Sequence, residues 1–451
     1  MSKRPILTAI LLATMAASAA SAQLLGGGGG TLGGLTGPVG GVLGQVGGTV
    51  DRTVGGVTGQ QNNPASFVNP SNPVSLDAVT RPLPQIAAAP ALLSDIRKAR
   101  LAALIRANRD TLDRDGEGQP VRKGELIVTD PDAASLALAQ RAGFRILRDE
   151  QAGDLGIRMV TLSLPRKMDV REGLKALRRA APALQADYNH IYEPAGGALL
   201  PATAAALAAA PVRSGTRIAM IDGGVASHPS LARAGIEQRG FNGPAQPTGH
   251  GTAVGSLLVG EQGPFHGAAR GAQLFVGDVY GGNAAAGSAT AIVRALAWAA
   301  SKKPSVINIS LVGPANRTLA RAVGALRARG IALVAAVGND GPAAPPQYPA
   351  SYAGVIAVTG VDAKNRALRE AGRSTHLDFA APGADLAAAL PGKGYTEVRG
   401  TSFAAPFVAA RLAATGSSAR LAAEAEPGKG KVGQGIVCGS CDIAPRAVGL
   451  K

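Results

Sequence analysis

Three segments of the sequence place a carboxylate, an imidazole and a hydroxyl next to glycines. Asp222 ends a short apolar stretch and precedes Gly-Gly, His250 lies between two glycines, and Ser402 follows Gly400-Thr401 before a run of small and apolar residues with helical spacing. That spacing predicts that Ser402 lies at a helix N-terminus. A serine hydroxyl attacks an amide only when a base accepts its proton, and a histidine held by an aspartate is such a base. The three residues are therefore candidates for nucleophile, general base and orienting acid.

Each residue also has a structural explanation when it is considered alone. A serine before an alanine-rich helix is commonly an N-cap, and an aspartate before two glycines commonly belongs to a turn. A histidine can be a satisfied structural residue. The sequence contains five histidines, which are His190, His228, His250, His266 and His376. Only His250 lies in a Gly-His-Gly-Thr sequence. The catalytic interpretation therefore depends on the ordered set of motifs.

Five motifs in order resemble those of the subtilisin-like serine peptidases over residues 212–415. They are IDGGV at Asp222, GHGTAV at His250, VINISL at 306–311, VAAVGND at 334–340 and GTSFAAPFVAA at Ser402. The resemblance implies an α/β fold with a parallel sheet flanked by helices, and it makes Asp222, His250 and Ser402 the catalytic triad. It implies an oxyanion hole formed by the Asn339 side chain and the Ser402 backbone N–H. It also implies that a substrate pairs with the strand Ser310, Leu311, Val312 and Gly313.

Four residues depart from the usual pattern of that family. Val312 stands where glycine is usual, which is expected to narrow the substrate groove and favour small or particular side chains. Phe403 and Phe407 replace the more usual Met and His, and Gly223 replaces Thr or Ser beside the aspartate. All triad and oxyanion positions are filled, so these departures concern specificity and rate rather than the type of reaction.

Composition restricts the function further. The 451 residues carry a net charge of +16, and aromatic residues make up 3%, so the core must consist of Ala, Val, Leu and Ile. The basic residues are scattered, without a run or interleaved aromatic residues, so no nucleic-acid partner is expected. Acidic residues are sparse and form no dense group of oxygen ligands, so neither a metal nor another cofactor is expected.

The N-terminal part predicts export. Residues 1–22 contain Lys3 and Arg4, an apolar run and Ala20-Ser21-Ala22, which predicts a signal peptide cleaved after Ala22 and a secreted or periplasmic protein. Residues 23–90 are rich in glycine and proline and are expected to be flexible. Residues 91–123 are expected to be a helical linker, with a basic amphipathic helix over 92–112. No later stretch is long and apolar enough to span a membrane.

Residues 124–194 have the rhythm of a small α+β domain. Strands are expected at 125–129, 144–147, 158–164 and 186–192, with helices at 132–142 and 170–181. This βαββαβ order is the ferredoxin-like plan. The resemblance implies a pro-domain that acts as an intramolecular inhibitor, and the alternative is an accessory domain of the same fold. Residues 195–211 are expected to be an exposed linker that contains the processing site.

The remaining sequence is divided into a catalytic domain and a tail. Apolar strands over 218–221, 273–279, 306–309, 332–337 and 355–358 alternate with helices over 251–259, 289–300, 317–329 and 402–414. The alternation predicts a parallel sheet buried on both faces within residues 212–415. Residues 416–451 form a tail in which Cys438 and Cys441 are candidates for a local disulfide.

The leading hypothesis is an exported, monomeric serine endopeptidase, made as a zymogen, that hydrolyses peptide or protein substrates through an acyl-enzyme. A second hypothesis is a catalytically weak protein of the same fold that binds the cell envelope or has a structural role there. A third is an esterase with the same triad, although the sequence lacks the Gly-x-Ser-x-Gly motif typical of esterase folds.

Overall fold

The computed structural model describes residues 90–199, 212, 215–392, 394–441 and 443–450. Three predicted segments lie outside the described residues. They are the signal peptide, nearly all of the glycine- and proline-rich segment, and residues 200–211 of the linker.

The first described element is a helix that is shorter than predicted. Helix α1 covers Pro90–Ala107, whereas the sequence predicted a helix over 92–112. The side-chain amide of Asn108 donates to the Leu104 carbonyl where the helix ends, and Leu112 is already a strand residue, paired with Arg122. The helix therefore ends before Leu112, which pairs with a neighbouring strand instead.

A small antiparallel sheet with two helices follows α1. Its elements are β1 (Leu112–Arg114), β2 (Pro120–Thr129), α2 (Ala133–Arg141), β3 (Arg145–Gln151), β4 (Arg158–Ser163), α3 (Val170–Ala180) and β5 (Gln185–His190). Strand β2 lies between β4 and β5, and β3 pairs with the other edge of β4. From β2 to β5 the order is the βαββαβ order expected from the sequence. Asp169 and Glu172 form a capping box at the start of α3.

Two short strands lead from this module into the larger domain. They are β6 (Glu193–Pro194) and β7 (Gly197–Leu199), and they flank Ala195 and Gly196. The linker was expected to be exposed from residue 195 onward, but Ala195 is only 2% exposed. Its burial arises because β6 and β7 both pair with strands of the larger domain.

The larger domain contains a seven-stranded parallel sheet, which agrees with the predicted fold class. Its strands, in spatial order, are β17 (Phe379–Pro382), β16 (Ile356–Val361), β15 (Ala332–Ala336), β13 (Val306–Ile309), β8 (Arg217–Asp222), β12 (Gln273–Asp278) and β9 (Gly235–Gly240). The shorter strands of this part are β10 (Glu261–Gln262), β11 (Phe265–His266), β14 (Leu311–Val312), β18 (Leu386–Ala389) and β19 (Tyr395–Arg399). Its helices are α4 (Gly249–Val259), α5 (Ala289–Ser301), α6 (Arg317–Ala328), α7 (Thr401–Thr415) and α8 (Ser418–Glu424).

Helices cover both faces of this sheet, because alternate residues of each strand enter different cores. Ala219 and Ile221 pack in the core that contains residues of α5 and α6. Ile218 and Met220 pack in the core that contains residues of α4 and α7. A parallel sheet covered in this way brings the carboxyl ends of its strands to one edge, where α/β folds commonly hold functional groups.

The C-terminal tail is closed by a short covalent link. Cys438 and Cys441 form a disulfide, with their Cα atoms 5.1 Å apart, and Cys441 is buried in the core that contains α7. Among the described residues there is no group of three or more His, Cys, Asp or Glu that could hold a metal ion. None of the described helices is both long and apolar enough to cross a membrane.

Candidate active site

The first two predicted catalytic residues are in contact. Asp222 is the last residue of β8, and His250 is the second residue of α4, whose first turn is capped by the Thr248 hydroxyl. Nδ1 of His250 and Oδ1 of Asp222 are 2.8 Å apart, and both side chains are almost completely buried. The Gly223 backbone N–H donates to the same carboxylate oxygen at 2.7 Å. The pair can therefore hold the imidazole in one orientation and stabilise its protonated form.

A second carboxylate lies beside Asp222. Asp278 ends β12 and is the register partner of Asp222 in the parallel sheet. Burial raises the pKa of Asp278, although backbone N–H donors from Gln246, Tyr280 and Gly281 oppose that effect. Both of its oxygens accept backbone hydrogen bonds, so Asp278 positions the loop that precedes His250.

Ser402 lies in the first turn of α7, as predicted, but its hydroxyl is not hydrogen-bonded to His250. Oγ of Ser402 donates to the Ser310 carbonyl at 3.3 Å, while Nε2 of His250 is buried without a hydrogen-bond partner. The bond is reciprocated, because Oγ of Ser310 donates to the Ser402 carbonyl at 3.0 Å. That carbonyl needs a donor, since Pro406 lacks the N–H that would bind it within α7.

The residues before Ser402 are fixed by the Asn339 loop. The Thr401 backbone N–H donates to Oδ1 of Asn339, and the Thr401 hydroxyl accepts from the Gly338 backbone N–H, both at 3.0 Å. Gly400 has φ of 141°, and a side chain there would come within 2.8 Å of the Gly196 Cα and of Nδ2 of Asn339. Gly400 and Thr401 therefore hold the Asn339 side chain close to Ser402.

The predicted oxyanion hole is occupied by a carbonyl of the chain itself. The Ser402 backbone N–H donates to the Ala195 carbonyl oxygen at 3.1 Å, and Nδ2 of Asn339 donates to the same oxygen. The Cβ position of a side chain at Gly196 would lie 3.2 Å from Oγ of Ser402. The peptide bond between Ala195 and Gly196 thus lies against the candidate nucleophile.

Both sides of this peptide bond pair with strands of the larger domain. The Ala195 backbone N–H donates to the Ser310 carbonyl at 3.0 Å, and β6 pairs antiparallel with β14. On the other side β7 pairs antiparallel with β19. The segment 310–313, predicted to bind substrate, therefore does bind an extended peptide here, and that peptide belongs to the same chain.

The residue four positions upstream of Gly196 occupies a deep pocket. Tyr192 is fully buried, its hydroxyl donates to the Pro314 carbonyl at 2.8 Å, and its own carbonyl accepts from the Tyr280 hydroxyl at 3.0 Å. A side chain at Gly313 would overlap the Tyr192 ring, so Gly313 supplies the space that this ring fills.

Two arginines of α1 reach the same site, and sequence analysis did not find them. Nε of Arg97 lies 2.9 Å from Oδ2 of Asp340, next to Asn339 in the chain. Nη2 of Arg100 lies 3.1 Å from Oδ1 of Asp340 and 3.2 Å from Oε2 of Glu193. Only their basic helical context was visible in the sequence. The acidic partners of Arg100 lie 93 and 240 residues away along the chain, and Arg97 shares the more distant one.

Comparison with known proteins agrees with this fold. The family model described as the subtilase family matches residues 213–425. Subtilisin Savinase of Lederbergia lenta is 34% identical over 208 residues, which are 44% of this chain and 76% of that protein. Alkaline protease of Alkalihalobacillus alcalophilus is 34% identical over 208 residues, but that match covers only 53% of its length.

A solved structure extends the likeness in fold. Fervidolysin from Fervidobacterium pennivorans, described as a keratinolytic enzyme related to subtilisin, superposes with a TM-score of 0.61 at 18% identity, over 75% of this chain and 63% of that one. Together the fold and the relatives define the class of protein, a serine-type endopeptidase of α/β architecture. The chain belongs to the subtilase family.

Proposed function

We propose that the protein is an exported serine endopeptidase, made as a zymogen, whose triad is Asp222, His250 and Ser402. The position of the Ala195 carbonyl carries this proposal, because its oxygen accepts from the Ser402 N–H and from Asn339. Two donors on one carbonyl oxygen are the arrangement that stabilises a tetrahedral oxyanion. Backbone pairing on both sides of the bond supports a peptide substrate over a simple ester.

In the proposed reaction the hydrogen bond from the Ser402 hydroxyl to the Ser310 carbonyl breaks first. Rotation of the Ser402 side chain brings its hydroxyl to Nε2 of His250, which accepts the proton as Oγ bonds to the carbonyl carbon. The C–N bond then breaks, His250 gives that proton to the departing amine, and an acyl-enzyme remains on Ser402. A water molecule that gives its proton to His250 hydrolyses the ester and restores the serine. The Asp222 carboxylate stabilises the imidazolium.

The bound segment also supports the zymogen proposal. Residues 124–194 would be the pro-domain and intramolecular inhibitor, residues 212–415 the catalytic domain, and 195–211 the linker that is cut. Because the site holds the Ala195–Gly196 bond, we place the processing step there. A signal peptide cleaved after Ala22 would deliver the precursor to the periplasm or the medium, where it would act as a monomer.

Labelling and hydrolysis together test this function. The purified full-length protein should, after incubation, react with a serine-directed fluorophosphonate and hydrolyse an unfolded protein substrate. Ser402→Ala should lose both properties, because the hydroxyl has no substitute. Ser418→Ala changes an exposed serine at the start of α8 and should retain both. If the wild-type protein neither labels nor hydrolyses, the catalytic proposal is wrong, and a binding role at the envelope replaces it.

A further inference from the structure

The pocket beside Ala195 is bounded by a valine. In the pairing of β6 with β14, Val312 is opposite Glu193 and Leu311 is opposite Pro194, so Ser310 is opposite Ala195. Residues two apart in a strand share a face, and diagonal neighbours across a pair are close enough for side chains to interact. Val312 and Ala195 therefore lie on the same face as diagonal neighbours.

The valine spans the space between the two segments that flank Ala195. One segment is Ser310–Val312, and the other is the loop that contains Gly338 and Asn339. Cγ1 of Val312 lies only 3.3 Å from the Cβ position that a side chain at Gly338 would have. Val312 is 5% exposed and Ala195 2% exposed, and both belong to the same apolar core. The methyl group of Ala195 therefore has little space beyond it.

The residue on the other side of the peptide bond is restricted by a phenylalanine. A Cβ at Gly196 would lie 2.8 Å from Cε2 of Phe403 and 3.1 Å from Cβ of Ser402. The Phe403 ring is 1% exposed and packs against the His250 imidazole, with the ring centroids 5.4 Å apart. Because the ring is held on the side of His250, it cannot easily move away from a larger residue.

We propose that this peptidase is selective for bonds between two small residues, alanine before the cut and glycine after it, with Val312 and Phe403 as the residues that set these limits. The inference rests on the proposed function, since it names the substrate class of that site. Forcing extra side-chain volume into a packed site costs about 1–3 kcal/mol, which corresponds to a rate difference of about 5- to 150-fold.

Internally quenched peptides with the chain's own sequence over residues 190–199 test the proposal. The enzyme is the purified full-length protein after incubation, with active sites counted by fluorophosphonate labelling. The parent peptide should have a kcat/KM about 100-fold higher than a peptide with Phe in place of Ala195, and also higher than one with Leu in place of Gly196. Comparable values for all three peptides would overturn the inference.

Variants identify the residues responsible. Val312→Gly should raise the ratio of kcat/KM for the Phe peptide to kcat/KM for the parent peptide at least about tenfold. Val312→Ala provides a second, milder variant if the glycine variant does not fold. Phe403→Met, with a more flexible side chain, should raise cleavage of the Leu peptide. Val432→Gly, a valine in the C-terminal tail, should retain the wild-type preference. An unchanged preference in both Val312 variants would overturn the role of that residue.

The failure of this inference differs from the failure of the proposed function. If no active site can be labelled and no peptide is cut, the peptidase proposal itself fails. If active sites are labelled and the Phe peptide is cut as fast as the parent peptide, the enzyme is real and the small-residue preference is wrong.

Discussion

At the scale of single residues, the hydroxyl of the proposed nucleophile Ser402 is held by a hydrogen bond that must break before it can react. The hydroxyls of Ser310 and Ser402 each donate to the other residue's carbonyl. Pro406 makes one of these bonds necessary, because it leaves the Ser402 carbonyl without its helical donor. The proline inside α7 therefore links the start of the helix to the strand that binds the peptide, and only the Ser402 hydroxyl has to turn for attack.

Gly223 gives a prediction at this scale. A side chain at Gly223 would overlap the Thr248 hydroxyl, which caps α4 by accepting from the Gly251 N–H at 2.9 Å. Gly223→Ser should therefore displace the cap and shift His250 relative to Asp222. We expect kcat for peptide hydrolysis to fall at least tenfold, and the free energy of unfolding to fall by about 1–2 kcal/mol.

Two measurements decide this prediction, a kinetic assay and chemical denaturation. Gly324→Ser is the matched control, because Gly324 is exposed on α6 and no atom lies within 4 Å of its Cβ position. A Gly223→Ser protein with wild-type kcat would show that the overlap is relieved without moving His250.

At the scale of elements, α1 connects the β6 segment to the Asn339 loop. Arg97 pairs with the buried Asp340 and also donates from Nη2 to Oε1 of Gln119 at 2.8 Å. Arg100 joins Asp340 to Glu193, the residue two positions before Ala195. Burial alone would lower the pKa of Arg100, but Glu193 and Asp340 raise it above its ordinary value, so the guanidinium stays charged. The helix therefore helps to hold the β6 segment in the groove.

Removing these charges should shorten the time for which the precursor stays inhibited. In Arg97→Ala/Arg100→Ala the Asp340 carboxylate loses both cationic partners, and loss of one partner of a buried charge pair commonly costs about 2–5 kcal/mol. We expect the lag before peptidase activity appears in the full-length protein to shorten at least about tenfold. The measurement is hydrolysis of a quenched peptide against time after purification.

Arg106→Ala is the control for this experiment, because Arg106 is an exposed arginine on the same helix. It should have the wild-type lag. An unchanged lag in the double variant, with normal final activity, would mean that β6 is retained by strand pairing alone and that α1 has no inhibitory role.

At the scale of the whole molecule, the small module and the catalytic domain share several polar contacts. Oδ2 of Asp187, in β5, accepts from the Arg317 backbone N–H at 2.8 Å, at the N-terminus of α6. The hydroxyls of Thr129 and Thr318 are 2.8 Å apart and buried. A carboxylate at a helix N-terminus stabilises the free N–H groups there. The module therefore supports α6 while its C-terminal end leads into the candidate active site.

Local patterns in the sequence were sufficient for the fold class and for the position of the site. The alternation of short apolar strands and helices predicted the parallel sheet, because such strands must be covered on both faces. The glycine contexts of Asp222, His250 and Ser402 placed those residues at the ends of strands and starts of helices, where the structure has them.

Other features could not be predicted because they depend on distant pairing. The residues Glu193–Pro194 do not by themselves indicate a strand. Strand β6 forms only because it pairs with β14, which lies about 118 residues further along the chain. The burial of Ala195 and the ion pairs of Arg97 and Arg100 have the same origin. Leu112, which was predicted to be helical, likewise belongs to β1 because β1 pairs with β2.

The most direct test of the account is the identity of the bond that the precursor cuts in itself. Intact mass and N-terminal sequencing of the full-length protein during incubation measure it, with Ser402→Ala as the inactive comparison. We expect a new N-terminus at Gly196, which appears in the wild-type protein and is absent from Ser402→Ala. If the same cut appears in Ser402→Ala, or if both proteins stay whole while the wild type is fully folded, then the bond held against Ser402 is not its substrate and the central claim is contradicted.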